Sequence, residues 1–403
     1  MVELGIDVLL KSDVLIKELA GKRLAVLGNP ASMTGKFEHS MDAIAKVSGL
    51  KLAAAFGPQH GMRGEVQDNM RETADEIDSI LKIPVFSLYG EVRRPTAKMM
   101  DTFDVLLVDL QDVGTRIYTF LTTLLYVLEE SARHKKSVWI LDRPNPAGRE
   151  VEGSALRPGW VSFVGAAEGI PMRHGLTMGE AAHWFRQKFK LDIDLKVIKM
   201  TGYDPTAGPG YGWPQGELSW VNPSPNASTL SMARCFPGTV LLEGTHLSEG
   251  RGTTRPLETF GGPGLDQLQL LRTMNEMAPH WLAGCHIRTC HFMPTFQKHA
   301  GQIISGVQLH VDDQSYNPQL FKPYRLVSLW LKAIRKHHPQ YQIWRDFHYE
   351  YEKTRLAFDL INGGPNLREW VDDNSAGAAD LDAICVPDEK AWENERRPYL
   401  LYA

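Results

Sequence analysis

Two glutamates are the first candidates for chemistry. Glu91 follows Tyr89-Gly90 and precedes Arg93 and Arg94, while Glu168 sits in Gly165-Ala166-Ala167-Glu168-Gly169. Cleavage of a glycosidic bond uses two carboxyl groups held in different protonation states, one giving a proton and one ionised. The apolar neighbours of Glu168 would disfavour its charged form, and the arginines near Glu91 would favour ionisation there. On spacing alone, in a chain with 48 acidic residues, a solvated Glu91 and a Glu168 that anchors its own loop is the simpler account.

Other polar residues stand where buried strands should end. Val105-Leu106-Leu107-Val108 is an unbroken apolar run, as in a strand buried on both faces of a parallel sheet. Asp109, Gln111 and Asp112 follow it, then Gly114, and from Ile117 the apolar residues recur at helical spacing. Leu24–Leu27, Leu52–Phe56, Pro84–Leu88 and Ser137–Leu141 repeat the theme. They end in Asn29-Pro30, in Gln59-His60 with Arg63 and Glu65 beyond, in Tyr89-Gly90-Glu91, and in Asp142-Arg143-Pro144-Asn145. Strand, polar loop and helix alternate about five times, which predicts an α/β fold with a doubly wound, mostly parallel sheet. Ligands of such sheets bind outside the carboxyl ends of the strands, so these loops converge on one edge. Asp109 and Asp112 are equally suited to capping the turn and the helix start.

Thr177 and Glu180 form a capping box for a helix over 177–189. The stretch 202–226 is a long aromatic loop rich in Gly and Pro; Tyr211 or Trp213 there could stack on a ligand, or be core. Near residue 235 the alternation breaks. A helix near 265–277, strands over 285–296 and 307–311, a helix over 326–335 and mixed short elements predict a smaller α+β domain. The boundaries are therefore set at 1–235 and 236–403.

Several functions are disfavoured. The chain carries a net charge of −4 with no basic block, so nucleic acid is not an expected partner. It has no run of ~20 apolar residues for a membrane span. It lacks the GxGxxG of dinucleotide sites, the Walker A loop and the GxSxG elbow. The four cysteines show no CxxC pairing, and Cys285 and Cys290, like His286 and His291, would face opposite sides of a strand. A metal-dependent hydrolase using His60, Asp109, Asp112 and Asp142 is a rival reading, as is a non-catalytic binding protein. The start, MVELGIDVLLKSD, has no signal-peptide pattern. The expected location is cytoplasmic if the chain is complete, and periplasmic or secreted if a leader was removed.

FGPQHG (56–61), LYGEVRRPT (88–96), DLQDVGTRIYT (109–119), LDRPNP (141–146), AAEGIPMRHGLTMGE (166–180) and EGTHLSEGRGTTRP (243–256), taken in this order, resemble the NamZ-type exo-β-N-acetylmuramidases. The likeness covers nearly the whole chain. It implies a Rossmann-like first domain with a smaller second domain completing the substrate cleft. It also implies removal of N-acetylmuramic acid from the non-reducing end of peptidoglycan fragments, with no cofactor or metal. The implied catalytic pair is Glu91 and Glu168. Muramic acid carries a lactyl carboxylate, which calls for a cation or a nest of N–H groups. Arg251, flanked by Gly250 and Gly252, fits that need, as do Arg63, Arg116, Arg143 and Arg173, each of which could instead serve an ordinary ion pair. Gln59, His60, Gln111, Asp112, Tyr118 and Asn145 are candidate partners for sugar hydroxyls. Oligomeric state is not predicted.

Overall fold

The computed structural model describes residues 1–64 and 70–402; Glu65, named above, lies outside them. The strands in chain order are β1 (Arg23–Gly28), β2 (Lys51–Gly57), β3 (Glu76–Ile77), β4 (Pro84–Ser87), β5 (Val105–Asp109), β6 (Ser137–Leu141), β7 (Glu152–Ala155), β8 (Pro171–Arg173), β9 (Leu195–Ile198), β10 (Thr259–Gly262), β11 (His286–Phe292) and β12 (Ile304–His310). Seven of them form one sheet in the order β3-β4-β2-β1-β5-β6-β9. All neighbours pair in parallel except the short edge strand β3. Counting the parallel strands alone, the order is that of a Rossmann sheet, with its switch point between β1 and β5.

The apolar run of β5 has a direct cause. Val105 and Leu107 pack on one face with Leu24, Val26, Trp139 and Ile198. Leu106 and Val108 pack on the other with Ala25, Leu27, Val138 and Ile140. A strand with both faces covered has no solvent side and so shows no polar alternation. The helix Phe120–Arg133 follows. It begins three residues later than the periodicity suggested, leaving Ile117, Tyr118 and Thr119 as a linker at the sheet edge. The capping box of Thr177 and Glu180 is present at the start of Met178–Lys188.

The smaller domain is built on the antiparallel sheet β10-β12-β11, with the helix Pro323–His337 among its buried elements. β11 stops at Phe292, short of the expected 296, because Pro294 has no N–H to give the ladder. A helix at Leu230–Thr239 runs through position 235. Of the mixed short elements expected to the end, the helices Ala357–Asn362 and Asn366–Asp372 are short, but a long helix, Ala378–Arg396, follows them. Only Leu381, Cys385, Trp392 and Arg396 of its residues are buried, and Pro387 lies within it, so its sequence shows little periodicity.

Buried polar groups tie the two parts together. Glu152 on β7 is fully buried and accepts the N–H groups of Tyr324 (3.1 Å) and Arg325 (2.9 Å) in the first turn of Pro323–His337. Arg116 donates to the carbonyls of Ile361 (3.2 Å) and Asn362 (2.8 Å). The Tyr402 hydroxyl returns to Asp142 at the end of β6, at 2.7 Å. One apolar cluster runs from Ala25 to Trp392 without a break between the parts.

Candidate active site

A cleft of ≈ 490 Å³ opens where the loops after β2 and β5 meet the smaller domain. Gln59 and His60 enter it from the turn after β2, and Tyr118 and Thr119 from the linker after β5. Ser224 and Asn226 come from the end of the long loop; Glu243, Arg251, Tyr349 and Glu350 come from the smaller domain. Met232, Phe236 and Leu257 supply apolar wall. Apolar walls with a few convergent polar groups are the usual make-up of a small-molecule site.

Arg251 is aimed by its flanking glycines. Gly250 and Gly252 have φ of 78° and 83°, and a Cβ on either would lie 2.3 Å from the Thr259 carbonyl or 2.6 Å from that of Phe296. Only glycine fits such a path. The Arg251 guanidinium bonds to Glu243 and lies 3.3 Å from Glu249, which also pairs with Lys298 at 2.6 Å. Tyr349 donates to the other Glu243 oxygen at 2.8 Å. Burial works against the charge on Arg251, but Glu243 and Glu249 outweigh it and hold the guanidinium firmly protonated. The same pairing with Lys298 and Arg251 draws Glu249 below its ordinary range despite its burial.

Glu350 is set differently. Its carboxylate accepts from the Tyr89 hydroxyl at 2.7 Å and from the Gln59 amide at 3.1 Å, and the Thr119 hydroxyl in turn donates to Gln59 Oε1 at 2.9 Å. Burial pushes its carboxyl up to about 7; the Tyr89 and Gln59 bonds oppose this and nearby Glu243 adds to it. The cleft therefore holds one carboxyl paired with a cation and one that takes up a proton near neutrality, the kind of asymmetry acid–base chemistry uses.

Of the residues picked from sequence, Gln59, His60, Tyr118 and Arg251 line this cleft. Glu91 and Glu168 do not, and both are exposed. Glu168 stands outside its buried apolar neighbours and accepts the Gly159 N–H at 3.0 Å, so the enclosure expected for it is absent. Glu91 borders a separate hollow with Asp75, Thr96 and Lys98. Its expected arginine neighbours point elsewhere, Arg93 to Glu72 and Arg94 to Glu129. Neighbours of each glutamate do reach the cleft or a residue that lines it. Val164 lines it four residues before Glu168, and Tyr89 bonds to Glu350 two residues before Glu91.

The remaining candidates are held by the protein itself. Arg63 pairs with Asp42 (3.1 Å) on the surface. Arg116, fully buried and outside the cleft lining, gives only its Nη2 to the carbonyls of residues 361 and 362, and Arg173 donates to Ala147 O at 3.0 Å. Arg143 grips Asp109, which also takes the Ser40 hydroxyl. Gln111 donates to the carbonyls of Asp112 (2.8 Å) and Pro144 (2.9 Å), and Asn145 to that of Leu176 (3.0 Å). Asp112 accepts from Gly114 N at 2.6 Å, as the capping reading had it. Asp142 is bound by Thr177, Gly179 and Tyr402. Asp109, Asp112 and Asp142 thus go to separate partners while His60 lines the cleft, and no group of three His, Cys, Asp or Glu side chains is gathered among the described residues. Trp213 packs on Trp220 and Tyr211 on Tyr316, away from the cleft.

Glu243, Glu350, Tyr349, Thr119, Ser224 and Asn226 were not singled out from sequence. Glu243 opens the quoted EGTHLSEGRGTTRP stretch, and Asn226 closes the long loop. Nothing local marks Glu350, which meets Gln59 across 291 residues of chain.

Residues 24–231 match the family model of the N-terminal domain of the exo-beta-N-acetylmuramidase NamZ, and residues 234–402 that of its C-terminal domain. The chain belongs to the NamZ family. It is 36% identical over 405 residues to the peptidoglycan beta-N-acetylmuramidase NamZ of Bacillus subtilis (strain 168), a comparison spanning 100% of this chain and 91% of that one. Two DUF1343 family crystal structures from Bacteroides fragilis NCTC 9343 share the NamZ-family architecture seen here. One has a TM-score of 0.86 at 28% identity and the other 0.74 at 26%, each covering 100% of this chain and 99% of its own. The protein is thus a glycoside hydrolase of this family. No helix among the described residues is long and apolar enough to cross a membrane.

Proposed function

We propose that this protein is an exo-acting β-N-acetylmuramidase that releases N-acetylmuramic acid from the non-reducing end of peptidoglycan fragments. The observation that carries the reading is the match of both NamZ domain models along the chain, together with an interdomain cleft holding a buried guanidinium and carboxyl groups. Arg251 is the cation placed to meet a lactyl carboxylate, and Gln59, His60 and Tyr118 are placed to meet sugar hydroxyls.

The working carboxyls in this proposal are Glu91 and Glu168, one as proton donor and the other as its ionised partner. The bond from C1 to the glycosidic oxygen breaks while that oxygen takes the donor's proton. A water oxygen bonds to C1 and its proton passes to carboxylate, so that the sum is hydrolysis. Support comes from the family resemblance of the YGE and AEG stretches, from Val164 in the cleft wall ahead of Glu168, and from the bond of Tyr89 to the lining residue Glu350.

The test is release of aglycone from a chromogenic β-N-acetylmuraminide, with the matching N-acetylglucosaminide and a chelator alongside. Expected is turnover of the muraminide alone, indifferent to chelator and lost in Glu91→Gln and Glu168→Gln. Binding of the muraminide without turnover by folded protein would replace the enzyme reading with a binding protein, and loss of activity to chelator would restore the metal-dependent one.

A further inference from the structure

The chain reverses at Tyr349–Glu352 through residues that rarely make such a turn. Tyr349 and Glu352 exchange two backbone hydrogen bonds, of 3.2 and 3.0 Å, closing a two-residue loop. Its central residues, Glu350 and Tyr351, have φ of 45° and 71°. Two-residue loops with both central residues in this region are ordinarily Asn-Gly, Asp-Gly or Gly-Gly, because a side chain crowds the backbone there. Strain of this kind persists where surrounding contacts over-determine it, and it gathers at working sites.

Besides the bond of Gln59 to Glu350, the contacts responsible centre on one short segment of the other domain. Glu350, buried, takes the Tyr89 hydroxyl at 2.7 Å. Tyr351 lies under the Arg93 guanidinium, 3.3 Å from its ring centroid, and meets the Tyr89 ring at 6.0 Å. Its hydroxyl donates to Glu72 (3.1 Å), which pairs with Arg93 (3.0 Å), while Arg93 donates back to the Gly90 carbonyl at 3.1 Å. The segment Tyr89–Arg93 is thus held at both ends, and Glu91 is its middle residue.

We propose that the Glu350–Tyr351 turn is a positioning device for Glu91, by which the smaller domain fixes the reactive loop of the larger one. Glu350 and Tyr351 act through the loop and are positioning residues in this role. The inference rests on Glu91 being a working carboxyl. A misplacement of about 1 Å at a reacting group costs on the order of 100-fold in rate, so slackening either end of the segment should appear in kcat.

The experiment measures kcat and KM of the full chain on the chromogenic muraminide for Tyr351→Ala, Tyr351→Phe, Tyr89→Phe, Glu350→Ala and Glu350→Gln, with Glu91→Gln as reference. Tyr351→Ala and Tyr89→Phe are expected to lower kcat by about tenfold or more with KM within about twofold. Tyr351→Phe keeps the ring beneath Arg93 and should stay within about twofold in kcat. Glu350→Gln keeps an acceptor for Tyr89 and should recover most of the kcat that Glu350→Ala loses. Tyr351 is 48% exposed, so its removal spares the core; Tyr89→Phe carries the test if Tyr351→Ala does not fold. Wild-type kcat in both Tyr351→Ala and Tyr89→Phe, with Glu91→Gln inactive, overturns the positioning role and leaves the Glu91 assignment standing. Full activity in Glu91→Gln overturns that assignment and the inference with it.

Discussion

Between pH 5 and 8 Glu350 changes charge inside the cleft, and this has a cost that solution measurements can read. Its carboxyl sits at about 7 in the folded protein against an ordinary 4.5. The folded state therefore keeps a proton that the unfolded chain has already released, and the stability this contributes is complete below 4.5 and lost as pH rises to about 7. At about 1.4 kcal/mol per pH unit, that interval corresponds to at most about 3.5 kcal/mol. Glu350→Gln has no such titration. Its denaturant-unfolding free energy relative to wild type should rise between pH 5 and pH 8, and an unchanged difference would show that Glu350 ionises at its ordinary pH. Residues at this scale were unevenly legible. Gln59 and His60 could be picked because they follow a strand, and Arg251 because glycine brackets it. Arg143, Arg173 and Asn145 carried the same outward signs, yet their donors go to carbonyls and carboxylates of the protein, and Arg116 is buried away from the cleft. Sequence reports that a donor exists; the fold decides whether its partner is protein or ligand.

Among the elements, the Gly250–Gly252 loop is the one on which most depends. Removing Arg251 takes a cation from two buried carboxylates, Glu243 and Glu249. Truncating one partner of a buried ion pair costs about 3–5 kcal/mol. Arg251→Ala should therefore lower the melting temperature strongly as well as weaken substrate binding. Gly252→Ala forces a Cβ to within 2.6 Å of a backbone carbonyl at positive φ. It should destabilise by more than about 1 kcal/mol and raise KM by displacing Arg251; an unaltered melt and KM would show that the loop relaxes freely. The strands of the large sheet were readable because burial on both faces writes a continuous apolar run. The helix Ala378–Arg396 was not, because few of its side chains are buried and Pro387 lies within it, so its apolar stripe is thin.

For the molecule as a whole, the shared apolar cluster and the bonds of Glu152, Arg116 and Tyr402 make the two domains interdependent. Calorimetry should show a single unfolding transition. The fragment 1–235 made alone should bind a hydrophobic dye and lack a cooperative melt, since its end cuts the helix Leu230–Thr239 and bares the face that cluster covers. Two well-separated transitions would contradict this. A helix runs through position 235, and the depth of the contact between the two parts was invisible in the sequence, because long-range packing leaves no local period. The turn at Glu350 and Tyr351 has a practical corollary. Asn-Gly there would relieve the backbone and remove a buried acid, so heat-resistance selection would favour such replacements early. Laboratory evolution toward ruggedness would then drift away from catalysis at this turn, and a robust variant of this enzyme is best sought with these two positions held constant.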